Sequence, residues 1–172
     1  MKIDFNAGMK QLQIAVLAFF VLPMIACGQK SETFEVALKG IYKNTVPLVH
    51  ENEIDTWNSA ILLDTRNSEE FEVSHLPNSR LVGYEEFTLD SVSSISKLDT
   101  IVVYCSVGYR SERIGEKLLA AGYKNVFNLY GGIFDWKNRN RIVVTSKNDT
   151  TEKVHAYNKV WGVFLKRGEK VY

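Results

Sequence analysis

The chain predicts an α/β domain built on a parallel sheet with helices on both faces. Three observations lead there. Short apolar runs at 61–64, 101–104 and 126–129 have the length and β-branched content of buried strands. Each is followed within a few residues by a helix-patterned segment, at 69–73, 111–121 and 133–138, and strands alternating with helices at short intervals make parallel sheets. The composition, 45% apolar and 24% charged over 172 residues, is globular and fits one domain.

The elements follow in order. Residues 29–33 are a polar tether, and Phe34, Leu38, Ile41 and Tyr42 fall at helical spacing. Pro47 confines 46–49 to an edge strand or a lead-in. Residues 54–57 read as one helical turn. The strand at 61–64 ends in Asp64 and Arg66, and Ser68 is the expected N-cap of the next helix. His75 to Ser79 is a turn around Pro77, 80–83 a further strand, and 87–95 a short helix running into a serine-rich loop. The strand at 101–104 delivers Cys105 into a loop around Gly108, with a helix expected from Ser111 and Gly122 as its stop. After the strand at 126–129, Gly131 and Gly132 open a helix with Phe134 or Trp136 facing inward. The last 30 or so residues carry Tyr157, Trp161, Phe164 and Tyr172, too apolar for a loose tail, and are expected to pack back on the body.

Lys2 and Lys10 precede an apolar run at 14–26. It falls short of the ~20 residues of a membrane-spanning helix but has the proportions of a secretory signal. Met24-Ile25-Ala26-Cys27-Gly28 resembles a bacterial lipobox, which implies lipidation of Cys27 and a mature chain exported and anchored to a bacterial membrane, facing the periplasm or the exterior. The expected organisation is therefore a signal peptide at 1–26, a tether and helix at 27–45, the main domain at 46–141 and an extension at 142–172. A net charge of +1 gives no basis for nucleic-acid binding. The oligomeric state is not legible. With Cys27 assigned to lipid, Cys105 is left as a lone thiol without a disulfide partner, retained for chemistry.

In an open parallel sheet, ligands sit beyond the carboxyl ends of the strands, where Cys105 lies. The thiolate is the nucleophile, and a free thiol is little ionised at neutral pH. A helix N-terminus stabilises a nearby anion by about 0.3–2 kcal/mol. Loop amides turned inward by Gly108 and the Arg110 guanidinium are the expected further help. The loop reads as an anion cradle with a nucleophile at its floor, provided the thiol can be reached. His75 reads as a structural hydrogen-bonder, Asp64 and Arg66 as ties at a strand end, and His50 with Glu51 and Glu53 as an incomplete ligand set; no metal is expected.

Three blocks between Ile61 and Trp136 resemble the single-domain rhodaneses. Leu63-Asp64-Thr65-Arg66, with Glu70-Phe71 and His75-Leu76-Pro77-Asn78-Ser79, resembles the first signature; Asn78 stands for a usual glycine and Ser79 for a usual alanine. Tyr104 to Ser111 resembles the active loop of the small thiosulfate sulfurtransferases, and Asn128 to Ile133 followed by Trp136 resembles the closing block. The resemblance implies a central five-stranded parallel sheet and a two-step reaction without a cofactor. Cys105 takes sulfane sulfur from thiosulfate or a similar donor and passes it, as a persulfide, to a thiol or cyanide. Arg110 would hold the donor, and Ser106, Val107, Gly108, Tyr109 and Ser111 would form the cradle, Ser111 chiefly as the helix cap. A persulfide carrier or redox-sensing module would use the same thiol. Phosphatases and arsenate reductases of this fold have one more residue between cysteine and arginine than the four found here.

Overall fold

The computed structural model describes residues 33–57 and 59–172, so the expected signal and Cys27 lie outside the described residues. Residues 33–41 form a helix, α1, as their spacing predicts. The chain divides into two compact units, Met1–Gly40 and Ile41–Tyr172, and the second carries everything described below.

Its centre is a five-stranded, all-parallel sheet formed by β1 (Leu48–Val49), β2 (Ile61–Asp64), β3 (Arg80–Leu81), β4 (Thr100–Tyr104) and β5 (Asn125–Leu129). The order β1-β5-β4-β2-β3 puts β1, preceded by Pro47, at one edge and β4 in the middle. Ile101, Val102, Val103 and Tyr104 are fully buried, which is why β4 reads as an unbroken apolar run rather than an alternating one. Leu63, Val103, Ile114, Leu118 and Val126 belong to one apolar cluster that joins the sheet to the long helix.

The helices of this unit are α2 (Glu51–Ile54), α3 (Ser68–Val73), α4 (Tyr109–Ala120), α5 (Gly132–Asn138) and α6 (Lys159–Gly162), with a 3-10 turn at Leu89–Val92 inside the expected 87–95 stretch. Several boundaries differ from expectation for local reasons. The turn expected at 54–57 is present, closed by the Trp57 N–H to the Ile54 carbonyl at 3.0 Å, but a helix precedes it from Glu51, where the Glu53 carboxylate accepts the His50 N–H at 2.8 Å. Asn67 caps α3, not Ser68. Its side chain accepts the Glu70 N–H while the Glu70 carboxylate accepts the Asn67 N–H, both at 3.2 Å. Asn78 adopts φ 60°, a left-handed conformation that asparagine, like the glycine the resemblance led one to expect there, tolerates. Both Phe134 and Trp136 are buried, where one of the two was expected.

The C-terminal segment holds β6 (Val143–Val144) antiparallel to β7 (Thr150–Thr151), and β8 (Lys153–His155) parallel to β9 (Glu169–Val171), with α6 between β8 and β9. It is tied to the rest of its unit by paired backbone bonds between His75 and Val144, both 2.9 Å. Further ties are a Lys137–Glu152 ion pair and bonds from Asn138 to the backbone of Phe164 and Lys166. Val154, Ala156 and Leu165 are fully buried within it.

Candidate active site

Cys105 is the first residue past the carboxyl end of β4, and the chain turns there within three residues. Gly108 takes φ 101° and is itself the N-cap of α4, so the helix begins at Tyr109, two residues ahead of the expected start. The Gly108 N–H donates to Cys105 Sγ at 3.1 Å. A Cβ at Gly108 would lie 2.2 Å from Tyr42 Oη, so glycine is required by space as well as by conformation.

The loop is held from three further directions. The Cys105 carbonyl accepts the Ile133 N–H at 2.9 Å and the Ser106 carbonyl the Phe134 N–H at 3.2 Å, which uses the otherwise unpaired amides at the start of α5. Tyr42 Oη donates to the Val107 carbonyl at 2.7 Å and accepts the Gly131 N–H at 2.9 Å. Burial of this phenol pushes its ionisation far above the ordinary tyrosine range, so it stays a neutral donor. Asn128 Nδ2 donates to the Gly108 carbonyl at 3.0 Å. The Ser111 hydroxyl donates to Asn128 Oδ1 at 2.7 Å and is fully buried. Ser111 therefore neither caps the helix nor reaches a ligand; it braces the residue that holds the loop.

Arg110 is placed differently from the free anion clamp expected of it. Its Nη1 and Nη2 donate to the two Glu70 carboxylate oxygens at 2.7 and 2.8 Å, and Nη2 also donates to Ser106 Oγ at 3.1 Å. Ser106 Oγ in turn donates to Glu70 Oε1 at 3.0 Å, closing a three-residue lock. Burial would raise the Glu70 carboxyl, but the Arg110 hydrogen bonds and charge outweigh it and hold Glu70 below the usual carboxylate range. Burial pulls the Arg110 guanidinium down while Glu70 and the sulfur of Cys105 pull it up, and the upward pull wins. Behind this lock, the fully buried Arg66 and Asp64 pair at 2.7 Å, and Arg66 also donates to the Ser74 carbonyl, tying the end of β2 to the end of α3.

Cys105 carries a free thiol and exposes only 1% of its surface, yet it lines a cavity of about 300 Å³. Ser106, Val107, Tyr109 and Arg110 share the lining, and Ile41, Tyr157 and Trp161 complete it. The thiol is thus reached through this cavity. The Tyr157 ring lies over the Arg110 guanidinium, 4.9 Å from centroid to Cζ, and Tyr157 has φ 61°, a costly conformation for an aromatic residue. Tyr109, Arg110 and Tyr157 also border an adjoining cleft of about 750 Å³. The remaining candidates are structural in placement. The His75 ring stacks on Phe71 with centroids 3.7 Å apart, and the His50 ring packs against Tyr130. Among the described residues no group of three or more His, Cys, Asp or Glu side chains is arranged to hold a metal ion.

A thiol on a strand-to-helix turn, an αL glycine aiming an amide at it and a locked arginine one helical turn on define an α/β anion-cradle site. Residues 47–139 match the Rhodanese-like domain family, and the chain belongs to that family. Among its relatives, a tRNA uridine(34) hydroxylase of Hamiltonella defensa is 33% identical over 131 residues, 69% of this chain and 36% of that protein. The adenylyltransferase and sulfurtransferase UBA4 of Candida albicans is 31% identical over 98 residues, 52% of this chain and 22% of that protein. The chain spans little more than a third of the length of the hydroxylases it matches. A crystal structure of a Bacillus halodurans protein superposes with a TM-score of 0.54 at 20% identity, over 67% of this chain and 86% of the other.

Tyr42, Asn128, Tyr157 and Trp161 shape this site without having been singled out for it by the sequence. Glu70 was quoted within the first signature but given no role. For Glu70 a signal was present, the Asn67-x-x-Glu70 capping box, which fixes the carboxylate at the start of α3. Asn128 likewise was quoted within the closing block without a role; for the other three no local pattern exists, since Tyr42 meets the loop 65 positions away and the two aromatics of the C-terminal segment approach it from the far end of the chain.

Proposed function

We propose that this protein is a sulfurtransferase that carries sulfane sulfur as a persulfide on Cys105. The observation that carries the reading is the Gly108 N–H donated to Cys105 Sγ, a main-chain donor aimed at a sulfur that lines a cavity. The Cys105 thiolate attacks the outer sulfur of a donor such as thiosulfate. The donor S–S bond breaks, sulfite leaves with the electron pair, and a Cys105 persulfide remains. Cyanide or a thiolate then attacks the terminal sulfur and regenerates the thiolate. The test is intact mass before and after thiosulfate. A gain of one sulfur, ~32 Da, is expected, lost on addition of cyanide with release of thiocyanate and absent in Cys105→Ala. An unchanged mass in wild-type protein with thiosulfate and with every other sulfane-sulfur donor overturns the reading.

A second reading comes from the names of the relatives. A 33% identical match over 69% of this chain to a tRNA uridine(34) hydroxylase supports a role in tRNA modification. Against it stands the net charge of +1, which gives the chain no excess of cations for a polyanionic partner. Salt-dependent retention of tRNA by the purified chain would favour it. We further propose a lipid anchor at Cys27, supported by the apolar 14–26 run that ends at Ala26-Cys27. The same mass measurement on membrane-extracted protein reads it as a chain starting at Cys27 and carrying acyl groups.

A further inference from the structure

We propose that the cavity over Cys105 selects organic sulfane-sulfur donors, monoanions whose outer sulfur is carried on an aryl or alkyl body, over the inorganic dianion thiosulfate. This rests on the sulfur-transfer reading and names the substrate class for it. Two independent observations lead to it.

The first is charge. Among the described residues lining the cavity Arg110 is the one with a charged side chain, and both of its terminal nitrogens are committed to Glu70, with one also committed to Ser106. A bidentate ion pair offers an incoming anion a dipole rather than a net positive charge. A dianion brought up to the Cys105 thiolate is stripped of water with no free cation to compensate it. A monoanion loses far less, because the desolvation cost of an ion rises steeply with its charge.

The second is the shape and chemistry of the walls. At about 30 Å³ per molecule of liquid water, a cavity of about 300 Å³ has room for roughly ten waters, and a five-atom thiosulfate displaces few of them. Tyr109, Tyr157 and Trp161 supply aromatic surface, and Ile41 and Val107 aliphatic surface. An aryl ring entering this space buries apolar area and finds partners for edge or offset stacking, whereas an inorganic ion leaves the walls wet. Tyr157 and Trp161 belong to the C-terminal segment, outside the residues 47–139 that match the family, so the selectivity is a property of this chain's extension.

The step balances without an oxidant. The Cys105 thiolate attacks the outer sulfur of an arylthiosulfonate, the sulfonyl–sulfur bond breaks, the arylsulfinate leaves with the electron pair, and the Cys105 persulfide remains.

The experiment compares benzenethiosulfonate, methanethiosulfonate and thiosulfate as donors to wild-type protein, with cyanide as acceptor and thiocyanate as the readout. Each kcat/KM is divided by the donor's rate with a small free thiol in solution, which removes intrinsic leaving-group differences. The expected result is a preference for benzenethiosulfonate over thiosulfate of at least about tenfold, with methanethiosulfonate between them. In Trp161→Ala the preference shrinks several-fold, and Trp161→Phe keeps most of it. Turnover with parity, or with thiosulfate preferred, overturns the inference and leaves the sulfur-transfer reading standing. Absence of both thiocyanate and the persulfide mass with every donor overturns both. A preference unchanged in a Trp161→Ala protein of native circular dichroism overturns the assignment of selectivity to the extension.

Discussion

Two walls close on the same sulfur, and they are built by opposite means. The loop wall, Cys105 to Arg110, is held by main-chain hydrogen bonds to Tyr42, Asn128 and the first amides of α5, and by a buried ion pair. The extension wall, Tyr157 and Trp161, presents apolar side chains, one of them on a backbone with positive φ. In the loop nearly every polar group has a specific partner, so a substitution there is paid for in stability. On the extension a side chain can be exchanged with little left unsatisfied, so a substitution there alters what enters the cavity. On the proposed reading, reaction chemistry would belong to the hydrogen-bonded loop and donor selectivity to the exchangeable side chains of the extension.

The sharpest way to break this contrast is Gly108→Ala. An L-residue at φ 101° is strained by roughly 1–2 kcal/mol, and its Cβ would lie 2.2 Å from Tyr42 Oη. Tyr42 must then give up its bonds to Val107 and Gly131, which leaves buried groups unpaired at about 1–3 kcal/mol. The expected loss in urea unfolding is about 3 kcal/mol or more, together with loss of persulfide formation. Tyr42→Phe, which removes only the hydroxyl, is expected to cost about 1–2 kcal/mol. A Gly108→Ala protein as stable as wild type would mean that the loop wall is not held in this way.

Next in size is the ion pair. Glu70 is held below its ordinary range despite burial, so the stability it contributes is present above the usual carboxylate pKa and is lost as pH falls through its depressed folded value. Acid unfolding should therefore steepen below the ordinary glutamate range in wild type, and that limb should flatten in Glu70→Gln. Glu70→Ala, which strands the Arg110 guanidinium, is expected to cost about 3 kcal/mol at neutral pH. Identical acid limbs in wild type and Glu70→Gln would remove the lock from the account.

The two walls also differ in how legible they are in the sequence. The loop wall is contiguous. An apolar strand, a cysteine, a glycine and a helical run fall within 21 residues, and each local preference agrees with its neighbours. Even there the helix start was misplaced, because Tyr109 and Arg110 point toward the cavity and carry no apolar periodicity, and because the cap is a glycine conformation rather than a serine side chain. The Glu70 partner of Arg110 was not foreseen for a related reason: it lies 40 positions earlier, and nothing local to Arg110 announces it. The three inner strands, β5, β4 and β2, were readable from strand length and apolar content, since strands covered on both faces read as apolar runs, while the two-residue edge strands β1 and β3 carry no such signal. The extension wall depends on tertiary approach alone. Aromatic content suggested a packed segment, but no spacing rule says that Tyr157 and Trp161 line the cavity with Cys105.

The smallest expected effect on stability, and the most informative, comes from Tyr157→Gly. Tyrosine at φ 61° stores strain of the order of 1 kcal/mol, which glycine releases. Against that, glycine adds unfolded-state entropy of about 0.4–1 kcal/mol, and the ring's contact with Arg110 is worth about 0.5–1 kcal/mol. These nearly offset, so unfolding in urea should shift by about 1 kcal/mol or less. The cavity meanwhile loses an aromatic wall and Arg110 loses its cover. Donor discrimination should fall while the persulfide still forms, the opposite of the pattern expected for Gly108→Ala. If Tyr157→Gly unfolds as readily as Gly108→Ala, the extension is part of the scaffold, and the division of labour between the two walls fails.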